Sequence, residues 1–380
     1  MPTLLPWLLH LITGLALAQD ELGSVDDLLE SVATQHMESP APDELRAAAV
    51  EGLLLWLERH EGAEHLQLLS REQYEQRAAH ARGERFGVGI GVLLVPGYGV
   101  RILEVFDDTP ASRAGLAAGD VVVAVNGEAV ESRPVVEVAH LLAARDREQL
   151  VLELVDHAGQ PRSVSLEPQP YYAPPLSVSD GEGHRMIRLH HFGRGAAEQL
   201  WQALAEVPPG SELVIDLRDV RDGLLEEAVG SAAPFLTGES VACYRSDGGG
   251  KHEPYLVPDA PVWDKPLAVL VNGGTQGVGE LFAAVIQRAN PSMSLVGTPT
   301  AGIDALPAWV EIGPDRVLQL AGARMVLADG TSWGRVGVVP DVVVDAADGP
   351  QLMPPPAPPA DLQIDAALRM VSSPESPALP

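Results

Sequence analysis

The sequence predicts an α/β layered domain, preceded by a small β-rich module and a helical lead-in. Three observations carry this. Apolar runs and amphipathic segments alternate between residues 186 and 296, the order that builds a sheet covered by helices. Short apolar runs separated by turn signals fill residues 86–168. Residues 24–82 carry a helical pattern. A length of 380 residues with 46% hydrophobic content suffices for more than one buried core.

Taken in order, residues 4–17 are a short apolar run ending in the small-residue pattern Ala16-Leu17-Ala18, before Gln19-Asp20. Residues 1–18 are therefore expected to be a signal peptide, with the mature chain exported to a periplasm or outside the cell. Pro2 and Pro6 argue against a buried N-terminal helix, and the run is too short to span a bilayer comfortably. No later stretch qualifies, so no membrane span is expected in the mature chain. Ser24 is placed to cap a helix whose first turn carries Asp26 and Asp27. Leu45, Ala48, Ala49, Leu53, Trp56 and Leu57 recur at helical spacing over residues 43–61. Ser70, with Gln73 in a capping-box position, opens a third helix over 71–82. Together these form an N-terminal helical region, 24–82.

Strands are expected at 87–94, 100–105, 121–125, 150–155 and 162–166, with one helix at 134–145. Asn126-Gly127 and Ala158-Gly159 mark turns. Residues 171–183, rich in Pro and Ser, read as a linker. Strands at 186–190, 212–217, 267–271 and 294–296 then alternate with helices at 194–206, 224–236 and 278–289. Further β structure is expected at 309–312, 317–320, 324–328 and 342–344. Residues 346–380 read as a proline-rich tail with a short helix at 361–371.

Lys and Arg number 25 against 53 Asp and Glu, a net charge of −28. Such a field repels phosphate backbones and anionic lipid, so nucleic acid is excluded as an expected partner. The single cysteine, Cys243, rules out an internal disulfide framework and a cysteine-based zinc cluster, and reads as a small buried residue. His60-Glu61 with His65 imitates a zinc-peptidase helix, but a spacing of five takes the histidines off one face. His190 and His191 alternate faces of a strand. No metal and no cofactor are expected.

Phe86-Gly87-Val88-Gly89-Ile90-Gly91-Val92 leads into a strand, which does not fit a dinucleotide-binding turn, where a helix must follow. Alone, this run reads as a hairpin. Further on, Thr109-Pro110-Ala111-Ser112-Arg113-Ala114-Gly115-Leu116-Ala117-Ala118-Gly119-Asp120-Val121 runs into Ala124-Val125-Asn126-Gly127. The two motifs together resemble a bacterial PDZ domain, over residues 84–169. That resemblance implies that Gly89, Ile90, Gly91 and Val92 form a loop whose N–H groups converge on a peptide's terminal carboxylate. It places Leu141 near the side-chain pocket, and a strand edge accepts the peptide.

The alternating region carries a second resemblance. Val214-Ile215-Asp216-Leu217-Arg218-Asp219-Val220-Arg221-Asp222-Gly223-Leu224, then Val269-Leu270-Val271-Asn272 with Glu280-Leu281-Phe282-Ala283-Ala284, resemble the C-terminal-processing (tail-specific) serine peptidases. So do Val296-Gly297-Thr298-Pro299-Thr300-Ala301-Gly302 and Gly337-Val338-Val339-Pro340-Asp341. The implied fold over 183–345 is a crotonase/ClpP-like layered peptidase core. In that family a lysine deprotonates a serine nucleophile, and a glutamine supports it. The matching positions here are Gly277, Ile303 and Pro307. No serine or lysine replaces them in sequence. Thr275 and Asp304 are the candidate substitutes, and Thr275 reads equally as a turn residue before a helix. Lys265 should sit at the far end of its strand, and Lys251 falls in a Gly-rich loop. The implied oxyanion hole, the N–H groups of Gly223 and Val278, needs no side chain, although Asp222 stands where the family has glycine.

The expected protein is thus an exported PDZ-bearing member of this family without its Ser–Lys dyad. It would bind peptides or protein C-termini as an adaptor or regulator, with an active relative or a second copy as further partners. The alternative is an active serine-type endopeptidase with displaced catalytic groups. A scaffold with a blocked groove is the third reading.

Overall fold

A computed structural model describes residues 24–38, 40–61, 66–95, 99–131, 133, 135–142, 149–221, 223–236, 238, 241–250, 252–290, 292–345 and 361–372. The expected signal peptide, the proline-rich stretch, His65, Asp222 and Lys251 lie outside these residues. The chain divides between residues 68 and 69 into two compact units.

The first unit holds α1 (Val25–Gln35) and α2 (Pro42–Glu61). Ser24 Oγ accepts from the Asp27 amide at 3.1 Å while the Asp27 carboxylate accepts from the Ser24 amide at 3.1 Å. This reciprocal box satisfies two amides that a helix start leaves over.

A strand, β1 (Gln67–Ser70), leads into the second unit, where the sequence pattern had suggested only helices. Ser70 and Gln73 form the expected capping box of α3 (Arg71–Ala81). The β-rich module then follows: β2 (Glu84–Gly87), β3 (Ile90–Val95), β4 (Gly99–Val105), α4 (Pro110–Arg113), β5 (Val121–Val125), β6 (Glu128–Ala129), α5 (Val135–Leu142), β7 (Leu150–Val155), β8 (Pro161–Leu166) and β9 (Gln169–Tyr172). One sheet runs in the order β3-β4-β5-β7-β8, with β6 on β5. Asn126 and Gly127 both take positive φ, 52° and 77°, and close the tight β5–β6 hairpin. Alternating residues such as Leu150, Leu152 and Leu154 fill the module's own core.

The expected run at 87–94 is split, because the chain turns at Val88-Gly89 and β2 pairs with β9 instead of continuing into β3. The expected linker at 171–183 is also β structure. It holds the end of β9 and all of β10 (Leu176–Gly181), which pairs with β11 (His184–Leu189). Its prolines, Pro174 and Pro175, lie between the two strands, where a missing N–H costs little.

The α/β body continues with α6 (Ala196–Ala205), β12 (Glu212–Asp216), α7 (Leu225–Ala232), β13 (Val241–Ser246), β14 (His252–Leu256), β15 (Leu267–Val271), α8 (Val278–Ala289), β16 (Met293–Gly297), β17 (Ala305–Glu311), β18 (Arg316–Leu327), β19 (Val342–Val343) and α9 (Leu362–Ser372). Its main sheet has the order β10-β11-β12-β15-β16-β19, parallel from β11 onward. All five residues of β15 are buried, as a central parallel strand requires. Leu200, Val229, Leu281 and Phe282 of the three crossover helices pack with Leu213, Ile215 and Val269. The other face, with Val214, Ala268, Leu270 and Val296, is covered by α9 through Ala367. The segment read as a tail is therefore a structural layer.

A second sheet runs β1-β18-β13-β14, with β17 on β18. The sequence reading passes over β13 and β14, and it breaks β18 in two. The break fell at Gly322, whose missing side chain permits close approach: a Cβ there would meet Ala308 Cβ at 2.3 Å.

Candidate active site

Three parallel strands, β12, β15 and β16, end on the same side, and the loops that leave them are tied together by hydrogen bonds. The side chain of Asn272, one residue past β15, accepts from the amides of Gly274 at 2.9 Å and Asp219 at 3.1 Å. Thr275 is fully buried, and its hydroxyl donates to the Leu217 carbonyl at 2.9 Å while accepting from the Asn272 amide at 3.2 Å. The Gln276 amide donates to the Val220 carbonyl at 2.8 Å. Loops after β12 and β15 thus form one rigid turn, at the strand ends where open α/β sheets place their sites.

Gly277 follows at φ 55° and ψ −112°, a conformation that side chains other than glycine adopt only under constraint. It opens α8, whose first turn carries Glu280. Glu280 is fully buried and accepts four hydrogen bonds. Oε2 takes the amides of Gly277 at 3.0 Å and Ile303 at 2.8 Å. Oε1 takes the Gly302 amide at 2.7 Å and the Thr300 hydroxyl at 2.5 Å. Thr300 Oγ1 in turn accepts from the Val338 amide at 2.7 Å. A buried carboxylate needs such compensation, and here backbone N–H groups supply most of it.

The structure therefore brings Gly277 and Ile303 together on a single carboxylate oxygen. The Thr275 and Asp304 side chains have different hydrogen-bond partners. Asp304, 4% exposed, accepts from Arg324 at 3.0 and 3.1 Å and from the Ser332 hydroxyl at 2.5 Å. Pro307 is exposed on β17 at a bulge opposite β18, a position suited to a residue without an N–H. Lys265 precedes β15, at the far end from Gly277, with its Nζ 5.0 Å from the Trp263 ring centre.

Of the two backbone donors, Val278 N–H belongs to the first turn of α8, where intrahelical bonding leaves amides over. Gly223 lies on the loop after β12, bridged in parallel to Phe192. A Cβ on Gly223 would lie 2.5 Å from Phe192 Cβ, so only glycine fits. Arg218 is committed elsewhere: it pairs with Asp216 at 2.7 Å and Asp361 at 2.6 Å. Burial disfavours its charge, but the Asp216 and Asp361 carboxylates outweigh that and hold it firmly protonated. A cavity of about 300 Å³ lies farther along α8, lined by Ala284, Arg288 and Trp333 among others; Gly277, Glu280 and Ile303 are not in its lining, though Ser332 and Val338 are.

In the β-rich module, Gly89 takes φ 82°, and a Cβ there would meet Thr109 at 2.3 Å. The buried Thr109 donates to the Phe106 carbonyl at 2.7 Å, and the Ala111 amide donates to the Val88 carbonyl at 2.9 Å. This packing explains why the glycine run and the Thr109-Pro110-Ala111 run occur together. Ile90, Gly91 and Val92 lie on β3, which among the described residues pairs only with β4. Ile90, Val92 and Leu141 border one apolar cluster. Cys243 is buried, and desolvation pushes its thiol up to about 12. His190 and His191 have different partners: His191 contacts the Ala173 carbonyl at 2.9 Å, and His190 contacts Ser177 and Glu104. Among the described residues no group of three or more His, Cys, Asp or Glu could hold a metal, and no helix is long and apolar enough to cross a membrane.

Sequence reasoning matched Glu280 to a motif but gave it no role. Its position three residues after the helix start, as in a capping box, was the available signal.

Comparison with known proteins fits this arrangement. Residues 185–344 match the model of peptidase family S41, and residues 101–156 match that of a PDZ domain. A carboxy-terminal-processing protease of Bartonella bacilliformis is 25% identical over 339 residues, covering 86% of this chain and 75% of that protein. A carboxyl-terminal-processing protease of Synechocystis is 26% identical over 287 residues, covering 73% and 67%. The fold is that of the photosystem II D1 C-terminal processing protease, with TM-score 0.52 and 22% identity over 92% of each chain. An S41 protease structure from Bacteroides fragilis aligns with TM-score 0.56 and 16% identity, over 82% of this chain and 87% of that one. The α/β body is an S41 peptidase fold and the β-rich module a PDZ domain. The α/β body thus matches peptidase family S41, and most of the chain is similar to carboxy-terminal-processing proteases.

Proposed function

We propose that this chain is an exported pseudo-peptidase that binds peptides or protein C-termini through its PDZ domain and serves as an adaptor or regulator. One observation carries the reading. The family's attacking and proton-accepting positions are Gly277 and Ile303, held side by side on Glu280 and offering no hydroxyl and no amine. Supporting it, the Thr275 hydroxyl donates to Leu217, and Asp304 is paired with Arg324. The side of β3 left unpaired among the described residues, beside Ile90, Val92 and Leu141, suits an added peptide strand with an apolar terminal side chain. Domain limits of 84–169 and 183–345, an active relative as partner and self-association belong to the same proposal.

The test is a cleavage assay of the full chain on an unfolded protein, beside a fluorescence titration with C-terminal peptides. The expected result is saturable peptide binding without cleavage. Cleavage abolished by Thr275→Ala would establish the alternative, an active endopeptidase with displaced groups. Absence of both binding and cleavage would leave a scaffold.

A further inference from the structure

The helix pair of the first unit is apolar well beyond what its own packing covers. Helix α1 carries Val25, Leu28, Leu29 and Val32 at the i, i+3, i+4, i+7 spacing of one stripe. Leu29 and Val32 are half-buried, whereas Val25 and Leu28 are 65% and 55% exposed. Helix α2 carries the run Leu53-Leu54-Leu55-Trp56-Leu57. Five residues exceed one turn of about 3.6, so this stretch is apolar on every side. Helix α1 lies against α2, and one neighbour covers one side. Leu54 and Leu57 are half-buried, while Leu53 and Leu55 are 57% and 47% exposed. Between residues 24 and 57 no described residue is buried. Two short helices without a shared core are marginal, and apolar surface of this kind marks a docking site.

Charge selects the occupant. Residues 24–61 hold nine Asp and Glu against two arginines, and Arg46 is already paired with Asp43 at 3.0 Å. Exposed Asp26, Asp27, Glu30 and Glu51 adjoin the apolar residues in the chain. A second copy would bring the same acidic excess to the face. Residues 69–380 are acidic too, with 23 Lys and Arg against 41 Asp and Glu. Anionic lipid is repelled by the same field. Cover of opposite sign therefore comes from another molecule.

We propose that the helix pair docks a basic amphipathic helix of another protein. Its apolar face would cover Leu28, Leu53 and Leu55, and its lysines and arginines would meet the flanking carboxylates. This surface is independent of the PDZ groove, because it needs no terminal carboxylate.

The experiment is fluorescence anisotropy of the full chain with a dye-labelled, C-terminally amidated peptide of Leu and Lys at helical spacing. Amidation denies the PDZ domain its carboxylate. Saturable binding is expected, about tenfold weaker at 0.3 M than at 0.05 M NaCl. The same peptide with Glu for Lys is expected not to bind. Leu28→Ser with Leu53→Ser is expected to weaken binding at least tenfold with unchanged circular dichroism. Glu30→Gln with Glu51→Gln, which keeps the helices, is expected to weaken it several-fold and to reduce its salt dependence. Leu256→Ser, 65% exposed on β14, is expected to change nothing. Binding that survives either double substitution, equal binding of the Glu peptide, or no binding of the Lys peptide overturns the proposal. So does a sedimenting dimer that Leu28→Ser with Leu53→Ser dissociates, since a second copy would then hold the face.

Discussion

A Cβ built on Gly277 meets nothing within 4 Å, so the turn has room for a side chain, although φ 55° makes any such residue strained by about 1–3 kcal/mol. Gly277→Ser with Ile303→Lys is therefore expected to fold, with a slightly lower denaturation midpoint. Cleavage of an unfolded protein by the double variant, absent in wild type, would show that two side chains suffice to make this site a catalyst despite Pro307 and Asp222. Glu280 is the stricter residue. Glu280→Ala strands four donors in a buried space and is expected to cost on the order of 3 kcal/mol, read from the urea midpoint. Cys243 makes a different prediction. Its thiol is raised to about 12, so native protein is expected to resist thiol reagents at pH 8 and react on unfolding. The unfolded chain releases that proton first, so this contribution to stability is present below about pH 8.5 and fades as pH rises toward 12. At this scale the resemblance in sequence pointed to positions 277, 303 and 307, where Gly, Ile and Pro stand. It did not show that Thr275 and Asp304 face different partners, because hydrogen bonds to Leu217 and Arg324 depend on segments far away in the chain.

Among elements, the sequence was most legible where local signals agree. Helix α8 begins and ends where its apolar spacing and Glu280 place it, and Ser70 caps α3 through Gln73. It was least legible where long-range pairing decides. Strands β9 and β10 hide in a Pro- and Ser-rich stretch because β2 and β11 supply their partners. Helix α9 looks like part of a tail until the sheet face beneath it is known. Its Asp361 accepts from Arg218 at 2.6 Å, and its Gln363 amide donates to the Val344 carbonyl at 2.8 Å. Arg218→Ala would leave the fully buried Asp216 with the backbone amide of residue 218, 3.0 Å away, and the charge of the more distant Arg188 at 3.9 Å. It is expected to lower stability by about 3–5 kcal/mol, measured by denaturant unfolding. A chain cut after residue 345 uncovers Val214, Ala268, Leu270 and Val296, and is expected to aggregate where the full chain does not.

For the whole molecule, composition and motif order indicated the sequence of parts: helices, PDZ domain, α/β body. The distribution of a −28 charge over the fold is not readable in the same way. Self-repulsion of that size is expected to be eased by salt, so raising NaCl to about 0.5 M should increase Tm, followed by calorimetry. The carboxylate of Glu280 has one more consequence. Main-chain amides from two separate loops end on it, so the contour of the cleft is set by N–H groups that every residue type except proline possesses. Exchanging the side chain at 277 or 303 for any but proline leaves those anchors in place, so the outline of this cleft can outlast a change in what lines it.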